Sequence, residues 1–374
     1  MATVKVAKVK MAGNVERVSR VTSLLLIVLT LASLAGCGAP ATHIAYLGLP
    51  QDDAVAAFRI NNHSGQFTNI AESPYPGGIS PASVFVHPSN KFAYAANQGE
   101  NDISLFTIDA SLGSLTEVLP RTPAGVTPVS LDMDGDGNFL FVANQASANI
   151  SVYSINSSTG ALASVSGSPF ATSPNPVALK LSPSGKFLYV VNPNLASIFA
   201  YSVNSGKLQP VPGSPFAVGS GPFSIAIDPA EKFVYVPNST ANTISVLAIN
   251  PSTGALSSIP ESPFASGIGT HPISVAVHPS GKFLYVANMG SSNISAFSID
   301  TTTGIPTVIT NSPFSTGTGP LVVVSDPNGN FVYAVNQGTK TISVFSVNAS
   351  TGALTGTAQS ATTSVSASSM FVTH

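Results

Sequence analysis

The chain has 374 residues, and only 8% of them are charged, so serine, threonine, asparagine and glycine supply most of its polarity. The formal net charge is −2 and no basic patch is evident, which excludes a nucleic-acid partner held by electrostatics. The single cysteine excludes an intramolecular disulfide, so the stability of the fold must come from packing.

The N-terminal segment has the order of an export signal. A basic stretch is followed by an apolar run over residues 21–34 and then by Leu34-Ala35-Gly36-Cys37. The apolar run is shorter than the roughly 20 residues that a membrane-spanning helix needs. We therefore predict that residues 1–36 are a signal peptide and are removed.

Cys37 is the predicted attachment point of a lipid. Leu-Ala-Gly-Cys resembles the lipobox of bacterial lipoproteins, in which the cysteine becomes the first mature residue and carries a diacylglyceryl group. Residues 37–42 would then be a lipidated linker, and the membrane a partner through acylated Cys37. The predicted mature chain has 9 Lys and Arg against 15 Asp and Glu, a net charge of −6, and would lie in the bacterial cell envelope. A stray thiol is the alternative interpretation of Cys37.

One phrase, written FLYVAN at residues 283–288, recurs through the rest of the chain. Its six copies end at asparagines separated by 47, 48, 46, 50 and 48 residues, namely Asn97, Asn144, Asn192, Asn238, Asn288 and Asn336. A turn glycine counts seven units: Gly65, Gly113, Gly160, Gly206, Gly254, Gly304 and Gly352. A third marker, Ser-Pro followed by an aromatic residue, starts at Ser73, Ser168, Ser214, Ser262 and Ser312. Periods of this length indicate a repeat architecture.

Each period contains four short strands, labelled A to D, separated by turn residues. A small sheet that is apolar on both faces must stack against its neighbours, and seven such sheets stacked radially form a β-propeller. Residues 43–47 match strand B, whereas residues 369–374 match strand A, so the C-terminal strand should complete the first blade and close the ring. We predict an all-β, seven-bladed propeller over residues 43–374. Immunoglobulin-like sandwiches are disfavoured because each needs roughly 100 residues, and an open solenoid needs no complementary ends.

Two stretches, GPFSIAIDPAEKFVYVPN from Gly221 and HPISVAVHPSGKFLYVAN from His271, resemble the lactonase-like seven-bladed propellers, which include bacterial 6-phosphogluconolactonase and the YVTN-repeat surface proteins. The resemblance implies the propeller fold. Its catalytic members carry Gly-Pro-Arg-His at the start of one inner strand and a glutamate after the asparagine of one strand B. Here the matching stretches begin at Ser80, Thr127, Asn175, Gly221, His271 and Gly319, and none contains the Arg-His pair. The glutamate is also missing, so no catalytic residue transfers by resemblance.

The D-to-A and B-to-C loops of a propeller share one face around the central channel, and we call this the loop face. His271 is the only titratable residue among the six residues that start the inner strands, where Thr127 and Asn175 also lie. Arg121 is assigned to a D-to-A loop, with Glu100 and Asp102 in the adjoining B-to-C loop. The predicted ligand-binding face comprises Glu100, Arg121, Thr127, Asn175 and His271. The alternative is that the charged residues form a solvated rim and that His271 is inert.

Two other patterns have structural explanations. The asparagines that end strand B occur in nearly every unit, which indicates a turn-capping role through side chain to backbone hydrogen bonds. Asp132, Asp134, Asp136 and Gly137 spell the start of a calcium loop, but position twelve is Ala143 instead of a bidentate glutamate. We therefore expect no metal and no cofactor.

Two functions remain open on the sequence. The first is a binding or scaffolding module at the envelope that recognises a protein or glycan through its loop face. The second is a lactone hydrolase similar to 6-phosphogluconolactonase, with a rearranged site around the weak catalytic candidates His271 and Arg121.

Overall fold

The computed structural model describes residues 42–374, apart from the side chain of Gln359. The predicted signal peptide and Cys37 therefore lie outside the described residues. Within the described range the chain forms strands and turns, and it has no helix long and apolar enough to cross a membrane.

The strands form seven antiparallel sheets, which confirms the predicted blade number. Blade 1 consists of β1 (Thr42–Leu49), β2 (Ala54–Asn61), β3 (Phe67–Asn69) and β4 (Tyr75–Pro76), with β33 (Ser369–Val372) as its inner strand. Blade 2 consists of β5 (Pro81–Val86), β6 (Phe92–Asn97), β7 (Asp102–Ile108) and β8 (Leu115–Pro123). Blade 3 consists of β9 (Pro128–Met133), β10 (Phe139–Asn144), β11 (Asn149–Ile155), β12 (Leu162–Ser164) and β13 (Phe170–Ala171).

The other four blades follow the same order. Blade 4 consists of β14 (Ala178–Leu181), β15 (Phe187–Asn192), β16 (Ser197–Asn204), β17 (Lys207–Pro210) and β18 (Phe216–Ala217). Blade 5 consists of β19 (Ala226–Ile227), β20 (Phe233–Asn238), β21 (Thr243–Ile249), β22 (Leu256–Ser258) and β23 (Phe264–Ala265). Blade 6 consists of β24 (Pro272–Val277), β25 (Phe283–Asn288), β26 (Asn293–Ile299), β27 (Pro306–Val308) and β28 (Phe314–Ser315). Blade 7 consists of β29 (Pro320–Ser325), β30 (Phe331–Asn336), β31 (Thr341–Val347) and β32 (Leu354–Thr362).

The Ser-Pro marker produces a fifth, two-residue strand that the sequence pattern did not predict. In five blades the aromatic residue and its successor pair with strand C. The marker serine accepts a hydrogen bond from a backbone N–H of the same strand C, as Ser168 Oγ does from Val152 at 2.9 Å. Blades 2 and 7 lack the marker and use one long outer strand with a register shift instead. The marker therefore fastens the outer edge of a blade to its third strand.

The hydrophobic core is divided into seven clusters, and each lies between two neighbouring blades. The largest fully buried side chains are tyrosines at the centre of strand B. Five of them donate a hydrogen bond across the interface to a turn-glycine carbonyl of the next blade, as Tyr189 does to Gly254 at 3.1 Å. The blades are thus stabilised mainly by one another, as expected for sheets that are apolar on both faces.

The ring is closed as predicted, with β33 as the inner strand of blade 1. Ala45 to Gly48 of β1 pair with Val372 to Ser369 of β33 in antiparallel register. Ser369 Oγ also accepts a hydrogen bond from the Val84 N–H of blade 2 at 3.1 Å. The C-terminal strand therefore connects to the first blade and to the second.

Candidate functional site

At the loop face, the backbone just before each inner strand of blades 2 to 7 has an unusual conformation. In blades 2 to 7 a proline lies at or just before the start of the inner strand. The residue before this proline has a positive φ, between 55° and 71°, in every one of these blades; the six residues are Ser80, Thr127, Asn175, Gly221, His271 and Gly319. In blades 2, 3, 6 and 7 the register with strand B then shifts by one residue just after the proline. Such a β-bulge redirects one side chain, and here that side chain belongs to the residue that follows the proline.

The residues that follow these prolines form an apolar ring at the mouth of the channel. A cavity of about 560 Å³ lies there, and its lining includes the residue after the proline in each of blades 2 to 7: Ala82, Val129, Val177, Phe223, Ile273 and Leu321. Phe223 is 43% exposed, which is unusual for an aromatic side chain that points towards a cavity. These positions match the arginine of Gly-Pro-Arg-His in the family resemblance. Aliphatic and aromatic side chains at this ring cannot bind a carboxylate or phosphate as an arginine would.

The next position along each inner strand matches the histidine of that motif and carries mostly serine. Four of these serines accept a backbone hydrogen bond from the neighbouring inner strand at 3.1–3.2 Å: Ser83, Ser130, Ser274 and Ser369. Their hydroxyl groups therefore connect adjacent blades. No general base faces these hydroxyl groups in the cavity lining, so the lining contains no activated nucleophile.

The lining of the cavity contains no Asp, Glu, Lys, Arg or His. Its polar side chains are serines and two glutamines, Gln98 and Gln145. Deeper in the channel, Phe85 and Phe371 face each other with ring centroids 4.6 Å apart. Lys180 lies on an inner strand near Phe85 and forms an ion pair with buried Asp132 at 3.1 Å, outside the cavity lining. The cavity lining therefore has no charged side chain, and the Lys180 ammonium beside it is paired with Asp132.

His271 lies at the edge of the loop face and is exposed. Its N–H donates to Asn242 Oδ1 at 2.7 Å, and its carbonyl accepts from Met289 N at 3.0 Å. Among the described residues no hydrogen bond to its imidazole is found. The backbone contacts of His271 thus hold the bulge, whereas its ring faces solvent.

Arg121 belongs to the outer strand β8, which corrects its assignment to a D-to-A loop. Its guanidinium donates to Glu117 and to Glu100, both at 2.7 Å, and to the carbonyl of Gly77 at 3.0 Å. Two carboxylates already neutralise this cation, so an anionic ligand would have to displace them. Glu100 also accepts a hydrogen bond from the Ile79 N–H. The Arg121–Glu100 ion pair therefore holds the segment that joins blade 1 to blade 2.

The other predicted residues of the binding face, and the neighbouring Asp102, form hydrogen bonds within or between blades. The Thr127 N–H donates to Asn101 Oδ1 at 2.8 Å, and Asn175 Nδ2 donates to Asn194 Oδ1 at 3.1 Å. Asp102 begins strand β7, and its burial raises the pKa of its carboxyl group although a hydrogen bond from Asn97 opposes that shift. None of Glu100, Arg121, Thr127, Asn175 and His271 lines the channel cavity.

The asparagines that end strand B hold their neighbouring loops and strands, and only Asn144 and Asn192 make the predicted side chain to backbone hydrogen bonds. Five of the six donate from Nδ2 to side chains of strand C, as Asn288 does to Asn293 and Ser295, both at 2.8 Å. Asn192 instead donates to the carbonyl of Pro174 at 2.6 Å. All six are 0–1% exposed, and five of them connect strands B and C, so they do not form a polar ring in the channel.

The aspartates of the calcium-like motif have separate protein partners. Asp132 accepts the N–H of Leu181 at 2.7 Å, whereas Asp134 accepts the N–H of Phe139 in its own turn. In residues 42–374 no group of three or more His, Cys, Asp or Glu side chains is arranged to hold a metal ion.

The sequence matches the family model described as "Lactonase, 7-bladed beta-propeller" over residues 38–180 and 171–371. The chain belongs to this lactonase family. No curated protein gives a significant match to the sequence. Membership of the lactonase family accounts for the blade number.

Solved structures of low sequence identity share the lactonase-family fold. A candidate 6-phosphogluconolactonase from Bacteroides fragilis is 20% identical with a TM-score of 0.77, and the match covers 90% of this chain and 99% of that one. A protein from Lactobacillus plantarum is 18% identical with a TM-score of 0.77 over 89% of this chain and 100% of its own. The periplasmic gluconolactonase of Pseudomonas aeruginosa is 18% identical with a TM-score of 0.75 over 89% of this chain and 99% of its own.

Sequence reasoning did not identify the apolar ring at the channel mouth of this lactonase-family propeller. The available signal was the residue that follows the first proline of each inner strand. That residue looks like an ordinary strand position, because the bulge depends on the positive φ of the preceding residue and is not visible in an apolar pattern.

Proposed function

We propose that this lactonase-family propeller is a binding module without hydrolytic activity and that it takes a ligand at the channel mouth. The observation that carries the proposal is the neutral cavity lining, in which apolar residues and serines occupy the positions of the catalytic Arg-His pair. Lactone hydrolysis needs a group that moves a proton, and such a group contributes about 10²- to 10⁴-fold to a rate. Within the described residues, His271 and Arg121 lie outside this lining.

We expect the protein to hydrolyse sugar and acyl lactones, gluconolactone included, no faster than the buffer does. The measurement is the release of acid from a lactone panel by the full chain, with His271→Ala and Arg121→Lys variants assayed in parallel. Turnover that disappears in either variant would contradict the proposal. That result would establish the second candidate, a lactonase with a rearranged site, which family membership favours.

We also propose that the protein is anchored in the bacterial envelope through Cys37. The order of the N-terminal segment supports this location, as does the periplasmic origin of the Pseudomonas aeruginosa relative. Cys37→Ser should move the protein from the membrane fraction to the soluble fraction and abolish incorporation of labelled palmitate. A Cys37→Ser protein that stays membrane-bound would disprove anchoring by acylation.

A further inference from the structure

We propose that the channel mouth binds an uncharged, amphiphilic small molecule, with its apolar part against blades 4 to 7 and its hydrogen-bonding head against blades 2 and 3. The inference rests on the proposed binding function and names the class of ligand. The cavity volume of about 560 Å³ lies within the range of roughly 300–1,000 Å³ that is typical of small-molecule sites.

The lining of the cavity is divided into two sides. Blades 2 and 3 contribute both amide side chains of the lining, Gln98 and Gln145, which start adjacent B-to-C loops, together with the ring residues Ala82 and Val129. Blades 4 to 7 contribute four apolar ring residues and no amide: Val177, Phe223, Ile273 and Leu321. A ligand that spans the mouth would therefore meet amide groups only on the side of blades 2 and 3 and mainly hydrocarbon around the rest of the ring.

The head group is expected to be uncharged because no residue of the lining is charged and the Lys180 ammonium beside it is already paired with Asp132. Burying an unpaired carboxylate or phosphate beside aliphatic residues carries a large desolvation penalty. Gln98 Nε2 donates to Ser80 Oγ at 3.0 Å, and among the described residues no hydrogen bond holds the half-buried side chain of Gln145. The Gln145 amide is thus available to donate to, or accept from, a hydroxyl or carbonyl group.

Exposed apolar side chains also lie in the loops around the mouth. Leu195 in a B-to-C loop of blade 4 is 55% exposed, and Ile268 in the loop before blade 6 is 79% exposed. Ile79 and Val126, in the loops before blades 2 and 3, are 47% and 50% exposed, so such side chains occur on both halves of the loop face.

The probe for the test is octyl β-glucoside below its micellar concentration, with glucose and octanoate as matched compounds that lack the tail or carry a charged head. Binding to the full chain with Cys37→Ser is measured by titration calorimetry. We expect octyl glucoside to bind at least about tenfold more tightly than either matched compound, since a buried apolar chain supplies most of the affinity. Equal or tighter binding of octanoate would overturn the proposal.

Three variants locate the site. Phe223→Ala should weaken octyl glucoside binding about tenfold, and Gln145→Ala about threefold to tenfold, whereas Phe223→Leu should keep most of the affinity. Leu112→Ala is the matched control because Leu112 is 56% exposed in a C-to-D turn on the opposite face. Equal losses in Phe223→Ala and Leu112→Ala would show non-specific adhesion and refute the site. Unchanged thermal unfolding of each variant confirms that the fold is intact.

The same preparations separate this inference from the proposed function. Octyl glucoside binding together with lactone turnover would leave the ligand class standing and refute the proposed absence of catalysis. Absence of both would refute the ligand class alone, because a non-catalytic propeller could use another surface.

Discussion

Removal of residues 365–374 should open the ring and destabilise the whole propeller. The deletion takes away the inner strand of blade 1 and leaves the backbone of β1 unpaired from Ala45 to Gly48. Met370 and Val372 are 8% and 6% exposed, so losing their burial alone costs about 1.5–3 kcal/mol each. Because a domain is stable by only about 5–15 kcal/mol in total, we expect the truncated protein to unfold at a much lower temperature or not to fold.

The measurement for the truncation is thermal unfolding followed by circular dichroism, with a matched deletion of His374 alone as the control. His374 is exposed and lies beyond the last paired residue of β33, so its removal should leave the transition unchanged. If the ten-residue truncation unfolds at the same temperature as the intact chain, the C-terminal strand does not close the ring.

Gly254→Ala should destabilise the protein by about 3 kcal/mol, from backbone strain and overpacking together. Gly254 has a φ of +74°, and a Cβ atom there would lie 2.3 Å from a ring carbon of Phe187 in the preceding blade. The ring cannot withdraw freely because Phe187 belongs to the core cluster between blades 4 and 5. A shift of this turn would also disturb the hydrogen bond that the Tyr189 hydroxyl donates to the Gly254 carbonyl.

The variant Gly185→Ala separates the cost of backbone strain from the cost of overpacking. Gly185 has nearly the same φ, +72°, but a Cβ atom there would meet nothing closer than Asp134 Cβ at 3.9 Å. We therefore expect a loss of only about 1–2 kcal/mol, from the left-handed backbone alone. Urea unfolding gives the free energy for both variants. Equal losses would show that the blade interface accommodates the methyl group and that its packing does not constrain Gly254.

The fold could be predicted from the sequence because the same short sequence features recur along the chain. All seven units contain the turn glycine, and six of them contain the strand B phrase with its final asparagine, so several weak signals support one architecture. The closure was also predictable, since the final residues match an inner strand that the first unit lacks. The two-residue outer strands were not, because the Ser-Pro marker resembles an ordinary turn and its pairing with strand C depends on three-dimensional contacts.

The cavity lining was less predictable than the fold. Charged residues are the usual candidates for a functional site, and the few in this chain lie elsewhere. Arg121 was predicted to belong to a ligand-binding face, but Glu100 and Glu117 both bind its guanidinium. His271 appeared special for its imidazole, whereas the structure uses its backbone. The residues that line the cavity are uncharged and lie next to turn residues that recur in every repeat, so their exposure to the channel was evident only from the backbone at the start of the inner strands.

The bulge at the start of each inner strand has a consequence for how proteins of this shape can diverge. The proline, the left-handed residue before it and the serine after it hold the backbone, while the residue between the proline and the serine contributes little more than its side chain. Single-codon changes at Ala82, Val129, Val177, Phe223, Ile273 or Leu321 would therefore alter the chemistry of the channel mouth without altering the framework. Six positions on one ring can thus change the binding preference of the channel mouth one side chain at a time, whereas placing a histidine at the next position would replace a serine that connects two blades.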